Sequence, residues 1–91
     1  MALSQYISEF LGTFILVAFV TRFKNPIVIA AGFLLAIWLT GDYSGGHINP
    51  AITIAQAFTG TFPASQLPGY IAAQIAGAIS AIYMTKRIMY M

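Results

Sequence analysis

The sequence predicts an all-α membrane protein with three transmembrane helices and one re-entrant half-helix, and three observations carry that prediction. Of 91 residues, 59% are hydrophobic and 7% charged, with a mean hydropathy of +0.84, a composition foreign to soluble domains of this size. Glycine, proline and polar residues gather at a few places and divide the chain into four apolar stretches, three near the length a bilayer demands and one far short of it. The segment Ser44 to Thr53, reading Ser-Gly-Gly-His-Ile-Asn-Pro-Ala-Ile-Thr, is polar and turn-rich within this apolar chain. Residues 1–91 are read as one unit whose main partner is the lipid bilayer, which makes it a multi-pass integral membrane protein.

The first span runs over about residues 6–21. It carries Glu9 and Gly12 and is closed by Arg22, Phe23, Lys24, Asn25 and Pro26. It lacks the basic start of a secretory leader and keeps an acid in its apolar run. The second span covers about 27–43, with Gly32 inside it, and cannot continue through Ser44-Gly45-Gly46. The third covers about 69–85, ahead of Lys86 and Arg87. Spans of 16 to 18 residues reach roughly 24 to 27 Å, marginal for a hydrocarbon core near 30 Å, so Tyr6, Tyr43, Tyr70, Tyr83 and Tyr90 are expected to extend them at the interfaces. Trp38 and Tyr83 read either as such anchors or as simple lipid-facing or packing bulk.

Between the second and third spans, Pro50 can open a helix because its missing N–H belongs to a position that has no intrahelical partner. Asn49 then stands at the cap. A helix over about 50–58, stopped by Gly60 and Pro63, has about two and a half turns and cannot cross a bilayer. It reads as a half-helix that dips into the membrane with its positive end and the Asn49 amide aimed at the interior. The residues 59–68 read as a surface connection.

Few residues here can do chemistry. With one histidine, no cysteine, and Asp42 and Glu9 as the acids, a metal site or catalytic constellation cannot be assembled, so no cofactor, no metal and no enzyme activity are expected. Glu9 either snorkels to an interface or faces inward as a functional acid. Gln74 reads as a brace or as a plain helix-to-helix hydrogen bond. Gly12, Gly32 and Gly77 read as points of close helix approach.

The segment Ser44–Thr53 resembles the first signature loop of the aquaporin and glycerol-facilitator, or major intrinsic protein, family. Glu9-Phe10-Leu11-Gly12-Thr13-Phe14 resembles that family's first helix, and Gln74-Ile75-Ala76-Gly77-Ala78 its third. Together they match one half of the family's inverted pair of repeats, the N-terminal one. The resemblance implies a passive channel for water, with glycerol-like neutral solutes open. It implies that Asn49, Pro50 and Ala51 form the central pore motif, that the carbonyls of Gly45, Gly46 and His47 line the approach, and that Glu9 and Gln74 brace the loop. It also implies a pore completed by a second, inverted half, either another copy of this chain or another aquaporin half. The family's grouping of pores in fours suggests eight chains forming four pores.

Two departures stand out. The family places an arginine directly after its second Asn-Pro-Ala, where this chain has Ile52, and the second-helix selectivity-filter position falls on Ile29, where relatives commonly carry an aromatic. A pore of two copies thus has Ile29 and Ile52 at each constriction, an apolar ring. All four basic residues, Arg22, Lys24, Lys86 and Arg87, fall on one side of the membrane, and the positive-inside rule puts that side in the cytoplasm. This is opposite to an ordinary first half. The same residues also fit a small structural or assembly subunit that keeps the motifs for packing.

Overall fold

A computed structural model describes residues 2–89. It contains α1 (Ala2–Arg22), α2 (Pro26–Ser44), α3 (Pro50–Phe58) and α4 (Leu67–Met89), with a 3-10 turn at Ala64–Gln66 leading into α4. Three helices, over Leu3–Arg22, Pro26–Ser44 and Ala64–Arg87, are long and apolar enough to cross a membrane. The architecture is all-α, with α3 as the short fourth element.

The helices are longer than the apolar stretches suggested, and local chemistry explains the extensions of α2 and α4. At 1.5 Å per residue, α1, α2 and α4 reach roughly 31, 28 and 34 Å, so they need little help from interfacial tyrosines. Pro26 belongs to α2, not to the connection. Asn25 is extended and its Oδ1 accepts the Ile27 N–H at 2.8 Å, with Pro26 at the first helical position. The same device opens α3, where Asn49 Oδ1 accepts the Ala51 N–H at 2.8 Å ahead of Pro50. Pro68 and Gly69 lie in the first turn of α4, where a missing N–H costs nothing. Lys86 and Arg87 sit in the last turn of α4, at the negative end of its dipole.

The bundle is inside-out. The buried polar residues are Ser8, Glu9, Thr13, Thr40, Ser44, His47, Thr53 and Gln74, whereas the buried apolar ones among the described residues are Ala36, Ile48, Tyr70 and Ala81. Leu, Ile, Phe and Trp side chains cover the outside, Trp38 at 76% exposure. In water this arrangement would be unstable. In lipid the outer residues lose nothing, and the polar groups must find one another. Tyr70 corrects the expectation of an interfacial anchor, because it is 1% exposed. Tyr43 and Tyr83 are exposed, Tyr6 is half-buried, and Tyr90 lies outside the described residues.

Helix α1 is the centre of the bundle, packed on α2 along one side and α4 along the other. On α2 the buried positions recur every fourth residue, at Gly32, Ala36, Thr40 and Ser44, one ridge of small side chains facing α1. A Cβ on Gly12 would sit 2.6 Å from Ile48 and 2.8 Å from Thr40, and one on Gly32 would enter the Phe19 ring. Against α4, a Cβ on Gly77 would collide with the Phe10 backbone carbonyl. These are close approaches that only glycine permits. Gly77→Ala should therefore destabilise the protein by about 1–3 kcal/mol. Gly41→Ala, where nothing lies within 4 Å, should be neutral or stabilising by up to about 1 kcal/mol. Unfolding midpoints of the two variants in one detergent check this, and equal midpoints would contradict the packing.

Candidate functional site

The segment joining α2 to α3 turns by a run of left-handed backbone. Gly45 has φ 88°, Gly46 φ 65° and Ile48 φ 47°. For the glycines this is free. For Ile48, β-branched and buried, it is strained by about 1–3 kcal/mol and persists because its surroundings hold it.

Glu9 is what holds it. The Glu9 side chain projects from α1 and is fully buried. Its Oε1 accepts the Ile48 N–H at 2.7 Å and the Gln74 Nε2–H at 2.8 Å. Its Oε2 accepts the His47 N–H at 3.1 Å and the Ser44 hydroxyl at 2.6 Å. Four donors fill the acceptor positions of one carboxylate. Glu9 does not snorkel.

The N–H groups of both loop glycines are also satisfied. Gly45 donates to the Gly41 carbonyl at 3.0 Å and Gly46 to the Ser44 Oγ at 3.4 Å. The Tyr70 hydroxyl donates to the Ser44 carbonyl at 2.9 Å, and Ser8 Oγ reaches Ser44 Oγ at 3.2 Å. The carbonyls of Gly45, Gly46 and His47 accept no hydrogen bond among the described residues. The loop thus ties two of its donors to α1 and two to the end of α2, and leaves these three acceptors open.

Thr53, which the sequence reading passed over, is the second junction of the site. It is the buried residue of α3, and its hydroxyl meets Gln74 Nε2 at 2.8 Å, His47 Nδ1 at 3.0 Å and the Asn49 carbonyl at 3.3 Å. Gln74 therefore spans Glu9 and Thr53, tying α4 to both the loop and the half-helix. The His47 ring packs against Phe62 and Tyr70, with centroids 4.9 and 5.1 Å away. Its ring is a packing group, and among the described residues no three of His, Asp and Glu converge on a metal position.

Asn49 stays exposed at the tip of α3. Its Oδ1 is committed to the Ala51 N–H, which leaves the amide hydrogens without an acceptor among the described residues. Pro50 is half-buried and Ala51 exposed. A groove of about 250 Å³ runs beside them, lined in part by Thr13, Ile48, Asn49, Pro50 and Gln74. Thr13 and Gln74 each keep one oxygen, Oγ1 and Oε1, buried beneath the surface without a hydrogen-bond partner among the described residues. Ile52 is exposed on the first turn of α3 and Ile29 half-buried on the first turn of α2. Ile29 lies fifteen residues, about 22 Å of helix, before the loop, so the two isoleucines are not brought together within one chain.

A bundle whose polar groups face inward, with a short helix capped by Asn-Pro and held from behind by a buried acid, defines an integral membrane protein with a re-entrant half-helix. The sequence pattern of the family described as major intrinsic protein matches residues 1–91. The chain belongs to the major intrinsic protein family, a family of membrane channels rather than enzymes. Among its relatives are the "Probable glycerol uptake facilitator protein" of Thermotoga maritima, 44% identical over 91% of this chain, and Aquaglyceroporin-2 of Rhizophagus irregularis, 46% identical over 81%. Aquaporin NIP1-1 of Arabidopsis thaliana is 37% identical over 97%. The chain spans 44%, 28% and 34% of the length of these relatives, less than half of each.

Thr53→Val keeps the shape of the side chain and removes the hydroxyl that joins Gln74, His47 and Asn49. It should cost on the order of 1–3 kcal/mol, because a buried Gln74 donor loses its acceptor. Glu9→Gln should cost more, since the amide offers one acceptor oxygen to four donors. Unfolding midpoints in detergent give the order: wild type above Thr53→Val, above Glu9→Gln. A Glu9→Gln protein as stable as wild type would remove Glu9 from this role.

Proposed function

We propose that the chain forms one half of a passive channel for water and small neutral solutes such as glycerol, completed by a second, inverted half. The observation that carries this reading is Asn49. Its oxygen is tied to the half-helix, its N–H₂ donors are uncommitted, and they stand at the positive end of α3 beside three open carbonyls. A permeating water or hydroxyl can accept from the amide and donate to the carbonyls, while the half-helix dipole repels cations. The names of the relatives, glycerol facilitators and aquaporins, point the same way.

Residues 1–91 then make up a single half-aquaporin repeat. Asn49, Pro50 and Ala51 are its pore motif, Gly45, Gly46 and His47 its lining carbonyls, and Glu9 and Gln74, joined by Thr53, its braces. An inverted copy, meeting at Ala51, supplies the second half in the simplest assembly, and eight chains would then make four pores. Ile29 of one half and Ile52 of the other would form each constriction. The chain has no cysteine, so Ala51→Cys gives a single clean crosslinking site. Disulfide-linked pairs with opposed chain directions are the expected product, and parallel pairs alone would exclude the self-made pore.

Stopped-flow light scattering on proteoliposomes tests the activity. Osmotic water flux should exceed that of empty liposomes, without proton or ion leak. Ile52→Arg places a long charged group at a constriction and should reduce glycerol passage roughly tenfold, about 1.4 kcal/mol of added barrier, while water flux falls less. Folded, inverted-paired protein with no flux above empty liposomes would overturn the channel reading in favour of an assembly subunit.

A further inference from the structure

The four cations of the chain collect at one end of the bundle. Helices α1 and α4 run in parallel, Gly69 meeting Tyr6 and Gly77 meeting Phe10, so the last turns of both lie together. Helix α2 runs antiparallel to α1, Gly32 meeting Phe19 and Ser44 meeting Ser8, which returns its first turn to the same end. Arg22, Lys24, Lys86 and Arg87 are all there. Both acids are elsewhere: Glu9 is consumed by the loop, and Asp42 lies in the last turn of α2 at the opposite end. No ion pair offsets the basic end among the described residues. Arg22 and Arg87 rest instead over aromatic rings, their guanidinium carbons 5.3 Å from the Phe23 centroid and 5.8 Å from that of Tyr83.

An apolar groove of about 260 Å³ opens between α1 and α4 at this end, lined by Phe14, Ala18, Phe19, Phe23 and Met84 and bordered by Arg22 and Thr85. On the other flank of the same helix junction a second groove of similar size is bordered by Lys86 and shares Thr85. The first groove is apolar with one cation, Arg22, among its lining residues, and the second joins Lys86 to Thr21, Ile82 and Thr85. Apolar lining beside cations is the polarity of an anionic lipid read in reverse. A phosphate at the helix ends would meet Arg22 and, across the junction, Lys86, with the Thr85 hydroxyl between the two grooves, while an acyl chain would lie against Phe14, Phe19 and Phe23.

We propose that the α1–α4 junction at the basic end is a binding site for one anionic phospholipid, its phosphate held by Arg22 and Lys86 and an acyl chain in the groove behind Arg22. An uncharged or zwitterionic lipid fills the groove but leaves the cations without a net counter-charge, so the site selects by headgroup. The inference is independent of the channel reading, since it uses neither Asn49 nor the loop.

Native mass spectrometry of the full chain, released from detergent after exposure to an equal mixture of dioleoyl phosphatidylglycerol and dioleoyl phosphatidylcholine, tests it. The glycerol lipid should be retained over the choline lipid by roughly fivefold, a preference of the size expected for cations at an anionic lipid surface. Arg22→Gln should bring the ratio close to one, Arg22→Lys should keep most of it, and Asp42→Asn should leave it unchanged. Raising salt to 0.5 M on the wild-type protein should weaken the preference too, which tests the charge without any substitution. Inorganic phosphate at millimolar concentration should not displace the lipid. Equal retention of both lipids, a preference that survives both Arg22→Gln and high salt, or displacement by inorganic phosphate would each overturn the site.

Discussion

The structure depends on one buried carboxylate. A loop that enters a bilayer without forming a helix carries N–H groups that neither water nor lipid can satisfy. Here Glu9 accepts those of His47 and Ile48 directly, and Ser44, itself bound to Glu9, accepts that of Gly46. Because the carboxylate accepts from four directions at once, the loop is fixed in orientation as well as in place. It can therefore sustain a left-handed Ile48, which an isolated turn would relax. The consequence lies on the other side of the backbone. With the donors drawn to Glu9 and the end of α2, the carbonyls of Gly45, Gly46 and His47 are left without a partner among the described residues.

The rest of the bundle serves that arrangement. Glu9 must lie within hydrogen-bond reach of a loop from α2 and a glutamine from α4, so α1 has to approach both helices closely. The small ridge of α2 and the Gly77 contact on α4 allow it. Tyr70 closes the third side by donating to the Ser44 carbonyl and stacking on His47, with Phe62 completing the aromatic group. Apolar residues contribute little to this interior, which is consistent with helices driven together in lipid by packing and hydrogen bonding instead of by exclusion from water.

What the sequence disclosed was what short-range chemistry decides. Asn49-Pro50 is legible because a cap and an N-terminal proline act within three residues, and the half-helix length follows from Gly60 and Pro63. The same rule applied to Asn25-Pro26 would have placed the start of α2 correctly, so that signal was present and unused. Thr53 and Ser44 were not legible as junctions, because a threonine between isoleucines and a serine before a glycine look the same whether they face lipid or a buried glutamate. Tyr70 was misread for a related reason. A tyrosine near a helix end suits an interface, and only the placement of α2 turns its hydroxyl inward. Ile29 and Ile52 come from the family resemblance alone, and their separation within the chain means that their meeting requires a second half.

The site is also notable for what it keeps from the proposed path. Its buried acid, Glu9, has both oxygens spent on the loop and on Gln74, so the proposed path would be lined by fixed dipoles: an amide donor, three carbonyl acceptors and the end of a short helix. Fixed dipoles can replace the hydrogen bonds of a neutral molecule one for one, but they cannot repay the several kcal/mol lost when an ion gives up its water. In the proposed pore of two copies, Ile52 at the position of the filter arginine would take away a steric and donor element, while the barrier to cations would stay at Asn49 and the start of α3. Ile29 and Ile52 at the proposed constriction would then discriminate by size and by the absence of partners. On that proposal, the two isoleucines would bear on which neutral molecule passes more than on the exclusion of charge.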